Sequence, residues 1–119
     1  MKIQQIADLL DAKVLCGEAH LDGVVKSACG CDMMSDVLAF VKDQAVLLTG
    51  LCNPQVVRTA EMMDMKCIVF VRGKVPPAAV VDLADESGIV VMTTNERMYA
   101  ACGKLYVNGL AGGDTAANG

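Results

Sequence analysis

One histidine and no tryptophan occur in the 119 residues. The histidine, His20, stands in a His-Leu-Asp-Gly turn, away from any serine or cysteine in a nucleophile setting. It reads as a surface residue and not as a catalytic base. Positive charge is scarce as well: ten Lys and Arg against fourteen Asp and Glu leave a net charge of −4. A general nucleic-acid binder needs a basic face to neutralise phosphates, so that class is excluded. No apolar run approaches the roughly 18 residues that span a bilayer. The opening MKIQQIADLLDAK alternates polar and apolar residues without the apolar core of a signal peptide. The expectation is a soluble, cytoplasmic protein with no membrane or nucleic-acid partner.

The strong phosphate fingerprints are missing too. There is no G-x-x-x-x-G-K-[ST] and no G-x-G-x-x-G after a strand, which removes the usual kinase, NTPase and dinucleotide readings. The carboxylates Asp82, Asp85 and Glu86 fall at helical spacing and read as a solvated face. With no catalytic constellation in view, neither enzymatic activity nor a cofactor is expected.

What the chain has is apolar mass, 54% of its residues, with a mean hydropathy of +0.43. Its length suits one domain. A domain this small has much surface for its volume, so an apolar excess leaves greasy area outside the core. A homodimer is the simplest way to cover it.

The apolar pattern organises the chain. Ile3, Ile6, Ala7 and Leu10 fall on one helical face. A short strand follows at Val14-Leu15-Cys16, then a turn at 20–23 and an extended stretch from Val24 to Cys31. Met34, Val37, Leu38 and Val41 repeat the helical spacing, with Asp32 as the expected N-cap. Ala45 to Thr49 and Cys67 to Val71 are continuous apolar runs, as in strands buried on both faces, and Ile89 to Met92 is a third. Between them lie helices: one opened by Asn53-Pro54 and carrying Val56, Val57, Ala60 and Met63 inward, the other opened by Pro76-Pro77 with Val80, Leu83 and Ala84. Asn95 is expected to cap a last helix whose Met98, Ala101, Cys102 and Leu105 share a face.

The alternation implies an α/β fold, a three-layer sandwich around a mainly parallel sheet with a βαβαβ core and right-handed crossovers. The two N-terminal strands are expected to add to one edge. The domain is placed at residues 1–110, with 111–119 as a disordered tail because that segment lacks periodicity and large apolar residues.

In such sheets ligands bind where strands end and helices begin. Those ends here are Thr49 with Asn53, Arg72-Gly73-Lys74, and Thr93-Thr94 with Asn95. Arg72, Lys74 and the amides after Asn53 could hold an anion such as a nucleotide phosphate; the same residues also suit plain helix caps and solvated loop charges. Cys29-Gly30-Cys31 is the most provocative short motif. In an extended segment both sulfurs point to one side, toward a metal or a redox partner. A closed zinc site needs about four ligands, and no C-x-x-C or His pair completes one, so buried thiols are the simpler reading and no metal is expected. Crowded methionines at Met33-Met34 and at Met62, Met63 and Met65 fit a core or an adaptable partner surface.

At Asp32-Met33-Met34-Ser35, the strand from Ala45 to Thr49, and Asn53, the chain resembles stand-alone DRTGG-domain proteins. The resemblance continues through Cys67 to Gly73, Gly88 to Met92 and Ala101 to Tyr106, covering roughly residues 1–107, and rests on the order and spacing of elements. It implies the α/β fold of the HPr kinase/phosphorylase N-terminal domain. It also implies a regulatory part of the kind that accompanies phosphotransacetylase or CBS-containing pyrophosphatase modules, with Asp32 and Ser35 as further candidate ligand residues. The Asp-Arg of the family's name falls near Asn53 to Gln55 and its Thr-Gly-Gly near Val71-Arg72-Gly73, and neither is kept whole. Three functions stay open: a non-catalytic regulatory or ligand-sensing homodimer acting with a protein partner, a module binding an adenine nucleotide or other anion, and a metal or thiol redox protein using Cys29 and Cys31.

Overall fold

Strands with no polar face must be covered on both sides, and the chain supplies helices for each. The computed structural model describes residues 1–40 and 45–111. Its elements run α1 (Ile3–Leu10), β1 (Lys13–Cys16), a 3-10 turn (Glu18–His20), β2 (Ser27–Gly30), α2 (Met34–Phe40), β3 (Ala45–Thr49), α3 (Pro54–Met62), β4 (Cys67–Phe70), α4 (Ala78–Glu86), β5 (Val90–Thr93) and α5 (Met98–Val107). The strands form one sheet in the order β1-β5-β4-β3-β2. Strands β2 to β5 run parallel and β1 lies antiparallel on β5.

Every residue of β3 and β4 is buried, so no polar alternation shows in the sequence. The pleat still sorts their side chains in twos. Val46, Leu48, Cys67 and Val69 face one helical layer, with Ile3, Ile6 and Leu10 of α1 and Ala101 and Leu105 of α5. Leu47, Ile68 and Phe70 face the other, with Val37 of α2, Val56 and Val57 of α3, and Val80 and Ala84 of α4. The result is the expected three-layer sandwich. Each crossover from β2 to β5 steps the same way along the sheet, which puts α2, α3 and α4 on one face. Helix α5 returns over the other face, its Met98 and Cys102 coming up against Gly30 of β2.

Local signals set several ends as read. The Asn53 side chain accepts from the Gln55 N–H at 3.0 Å, with Pro54 in the first turn of α3. Burial pushes the Cys67 thiol far up, so Cys67 acts as a small apolar side chain. Met63 ends just beyond α3, half-buried.

Two expectations are corrected. The N-terminal strands do not share an edge: β1 pairs with β5, and β2 with β3 at the far side. Strand β2 feeds the crossover helix α2 and so lies parallel beside β3. Strand β1 arrives from α1 and turns back antiparallel, its register slipping between Val14 and Cys16. Asn95 does not cap α5, which starts at Met98 behind Arg97. The Gly73 N–H donates to the Thr94 carbonyl and the Arg72 N–H to the Glu96 carbonyl, both at 2.8 Å, which fixes residues 94–96 against the loop after β4 in a bend ahead of the helix.

At the end of the described chain Leu110 is buried, and the Ala111 carbonyl accepts from the Ala28 N–H of the edge strand β2 at 2.9 Å. Val41 and residues 112–119 lie outside the described residues. Among the described residues no helix is long and apolar enough to cross a membrane.

Leu47 is fully buried, whereas Leu38 is 39% exposed. Leu47→Ala is expected to cost about 2–5 kcal/mol, and Leu38→Ala less than about 1 kcal/mol. Urea unfolding midpoints at unchanged slope would show the difference.

Candidate functional site

The carboxyl ends of β2, β3 and β4 converge on one carboxylate. Asp32 follows β2 and does not cap α2. Its Oδ1 instead accepts from the Thr49 hydroxyl at 2.9 Å and from the Gly50 N–H at 2.8 Å, both at the end of β3. Its Oδ2 lies 4.0 Å from an Arg72 guanidinium nitrogen beyond β4, with both side chains about half exposed. The Gly50 amide above all, aided by the Thr49 hydroxyl and the Arg72 charge, holds the Asp32 carboxyl below its usual range against the opposing effect of partial burial. An exposed pair of this kind contributes little to stability. Its effect is on position: residues 32, 49–50 and 72 are tied at one point.

Arg72 is placed by an unusual backbone. Its φ is +60° and that of Gly73 is +68°, two left-handed residues in a row. For a non-glycine residue this costs about 1–2 kcal/mol. The Arg72 and Gly73 amides, bonded to the 94–96 segment, hold the turn there. Gly73 has a second constraint, since a Cβ would sit 3.1 Å from Asn95 Oδ1. The guanidinium lies across Gly50, where a Cβ would meet it at 2.2 Å. Gly50 therefore serves as both donor to Asp32 and floor for Arg72.

The remaining sequence candidates divide. Lys74 is exposed next to Arg72, and its carbonyl accepts from the Thr93 hydroxyl at 2.6 Å. Thr94 is buried, donating to the Leu10 carbonyl at 2.7 Å and accepting from the Glu96 N–H, so its hydroxyl joins α1 to the sheet. The Thr49 hydroxyl also accepts from the Leu51 N–H and is fully buried. Asn53 is used on α3, and Ser35 is exposed on α2. Half-buried Cys52 lies beside this edge, its thiol donating to the Gly50 carbonyl at 3.7 Å. Burial raises its thiol pKa, while Lys74 and Arg72 pull the other way. Of the residues around Asp32, the sequence reading missed Gly50 as a participant; the available signal was a glycine directly after a buried strand.

Cys29 and Cys31 do share a side of the sheet, as their spacing implies. Burial first, then the neighbouring Cys31 thiol, pushes the Cys29 thiol up to about 11. The Cys31 sulfur is engaged with the Met33 backbone, donating to the carbonyl and accepting from the N–H. Among the described residues no three His, Cys, Asp or Glu side chains gather to hold a metal. A cavity of about 520 Å³ lies at the opposite, amino ends of β4 and β5, between His20, Asp22, Lys66 and Gly88. None of the candidate residues lines it.

A carboxyl whose pKa is lowered by folding stabilises the protein above its unfolded pKa and loses that contribution as pH falls through the folded value. The stability difference between wild type and Asp32→Asn is therefore expected to be constant above about pH 5 and to shrink on acidification below the ordinary 3.8. Urea unfolding of both at pH 7, 5 and 3.5 measures it. A difference unchanged at pH 3.5 would contradict the assignment.

The DRTGG domain matches residues 5–106. No curated protein matches the chain. Among solved structures, the chain is similar to the CBS and DRTGG domains of the regulatory region of Clostridium perfringens pyrophosphatase, crystallised with its activator diadenosine tetraphosphate. The TM-score is 0.70 at 17% identity, over 87% of this chain and 45% of that one. The present chain thus spans less than half of that region, and the likeness concerns the fold. With the family match extending over most of its length, from α1 into α5, the chain belongs to the DRTGG domain family.

Proposed function

We propose that the chain is a non-catalytic regulatory module of the cytoplasm, working as a homodimer. In this reading it senses a small anion at the carboxyl ends of its strands, a nucleotide being the ligand class. The observation that carries the reading is Arg72: a half-exposed guanidinium, laid over Gly50 and steadied by Asp32, on a left-handed residue. Strained positions of this kind persist where the surroundings over-determine them, and they cluster at functional sites. Asp32, Arg72 and Lys74 together carry one net positive charge.

A phosphate reaching Arg72 and Lys74 competes with the Asp32 carboxylate for the guanidinium. Binding then loosens the tie that joins the end of β4 to Asp32 after β2, which is how occupancy becomes a change in the α2 side of the domain. Thr49, Gly73 and Thr93 shape this edge, and Asn53 opens α3 beside it. The nucleotide activator of the similar pyrophosphatase regulatory region supports the ligand class. The thiol reading of Cys29 and Cys31 has less behind it, because a thiol raised to about 11 is scarcely ionised at neutral pH.

Thermal unfolding with inorganic phosphate, AMP, ATP and diadenosine tetraphosphate tests the reading. A ligand at a hundredfold its Kd adds about 2.7 kcal/mol, a rise of several degrees in Tm. Arg72→Gly keeps the left-handed turn without its strain, so it should match or exceed wild type in Tm while losing the ligand response. Lys74→Ala should weaken the response. No shift with any of these compounds at millimolar concentration would overturn the anion-sensing reading.

A further inference from the structure

Helix α5, MYAACGKLYV, has one charged side chain, Lys104, and that lysine is paired with Glu96. Ala101 and Leu105 are buried against the sheet, and Met98 and Cys102 pack half-buried beside them. The opposite side is apolar too. Tyr99 is 92% exposed, Tyr106 70% and Val107 80%. A helix that is apolar all round is normally covered all round. The chain has two tyrosines in all, and both are on this one stripe, seven residues apart.

Between them, Gly103 is exposed, and a Cβ there would meet nothing within 4 Å. Nothing inside the protomer requires a glycine, which in a helix interior costs about 1 kcal/mol relative to alanine. Its absent side chain lets another helix come close. Tyr99 and Tyr106 are also placed symmetrically about the point between Cys102 and Gly103. An antiparallel twofold crossing at that point sets each Tyr99 against the partner's Tyr106 and each Gly103 against the partner's Cys102, the self-complementarity an isologous contact needs.

We infer that this stripe of α5 is the homodimer interface, with a second copy of this chain as its occupant; the inference rests on the homodimer reading above and supplies its surface. The area suffices. Two aromatic side chains of about 150–250 Å² each, with Val107, offer about 500 Å² per protomer, so a pair buries about 1,000 Å², the lower limit for a specific interface. Residues 112–119, Gly-Gly-Asp-Thr-Ala-Ala-Asn-Gly, have no large apolar side chain with which to cover it instead.

Sedimentation velocity of the full chain from 1 to 100 µM tests the assignment, with Tyr106→Glu and Gly103→Leu as variants and Met62→Glu as a control at an apolar residue elsewhere, 72% exposed. Wild type is expected to dimerise. Tyr106→Glu and Gly103→Leu should raise the dissociation constant by roughly 30-fold or more, the loss seen at interface hot spots, with unchanged far-ultraviolet circular dichroism. Met62→Glu should leave it unaltered. Gly103→Leu should also stabilise the monomer, an effect opposite in sign to its loss of dimer and not produced by general damage. Because the chain has no tryptophan, tyrosine emission reports on this stripe alone and should change with dilution. A wild-type dimer that both variants leave intact would overturn the surface while sparing the homodimer reading. A wild-type protein monomeric at 100 µM would overturn both.

Discussion

Burial of the central strands on both faces is the constraint from which the rest follows. β3 and β4 expose nothing to solvent at any position. Their backbone groups must be satisfied by neighbouring strands and their side chains by helices on two sides. Every crossover helix between parallel strands goes to one face, so the other depends on the chain's two ends, α1 and α5. That division explains why the N-terminus is pinned, its ammonium donating to the Val25 carbonyl and the Ile3 N–H to the Gly23 carbonyl. It also explains why Thr94 spends a buried hydroxyl on Leu10 at the end of α1.

The same topology collects the polar groups of the sheet. Parallel strands deliver their carboxyl ends to one side, where short loops carry Asp32, Thr49-Gly50 and Arg72 into contact. A carboxylate of the chain itself already occupies the Gly50 amide and faces the arginine. Asp32 and Arg72 offset each other there, and Lys74 beside them leaves the edge with one positive charge in excess.

Covering the second face with only two helices leaves a cost on the outside. Helix α5 returns over β2 and β3, and its composition is apolar beyond what the sheet can bury. The apolar excess noticed in the composition is therefore not spread evenly. Much of it is gathered on the solvent side of one helix, around Tyr99 and Tyr106.

Much of the fold was legible along the chain, because burial leaves a periodic trace. Continuous apolar runs marked β3, β4 and β5, helical stripes marked α1, α3 and α4, and Asn53-Pro54 marked a helix start that the Asn53 side chain indeed caps. Periodicity records how a segment is buried and not which segment it meets. The pattern around Val14 could not tell one sheet edge from the other; the direction of the chain leaving α1 decided that. Asp32 and Asn95 had the look of caps, yet one was drawn to the Gly50 amide and the other lies in a bend fixed by the Arg72 and Gly73 amides. Arg72 meets Asp32 across forty positions only because β2, β3 and β4 are neighbours and because its own backbone turns left-handed. Local sequence determined the elements and their buried faces, since these depend on side chains a few residues apart. Strand order and loop conformation decided the charged edge, since those contacts exist only once distant segments are packed side by side.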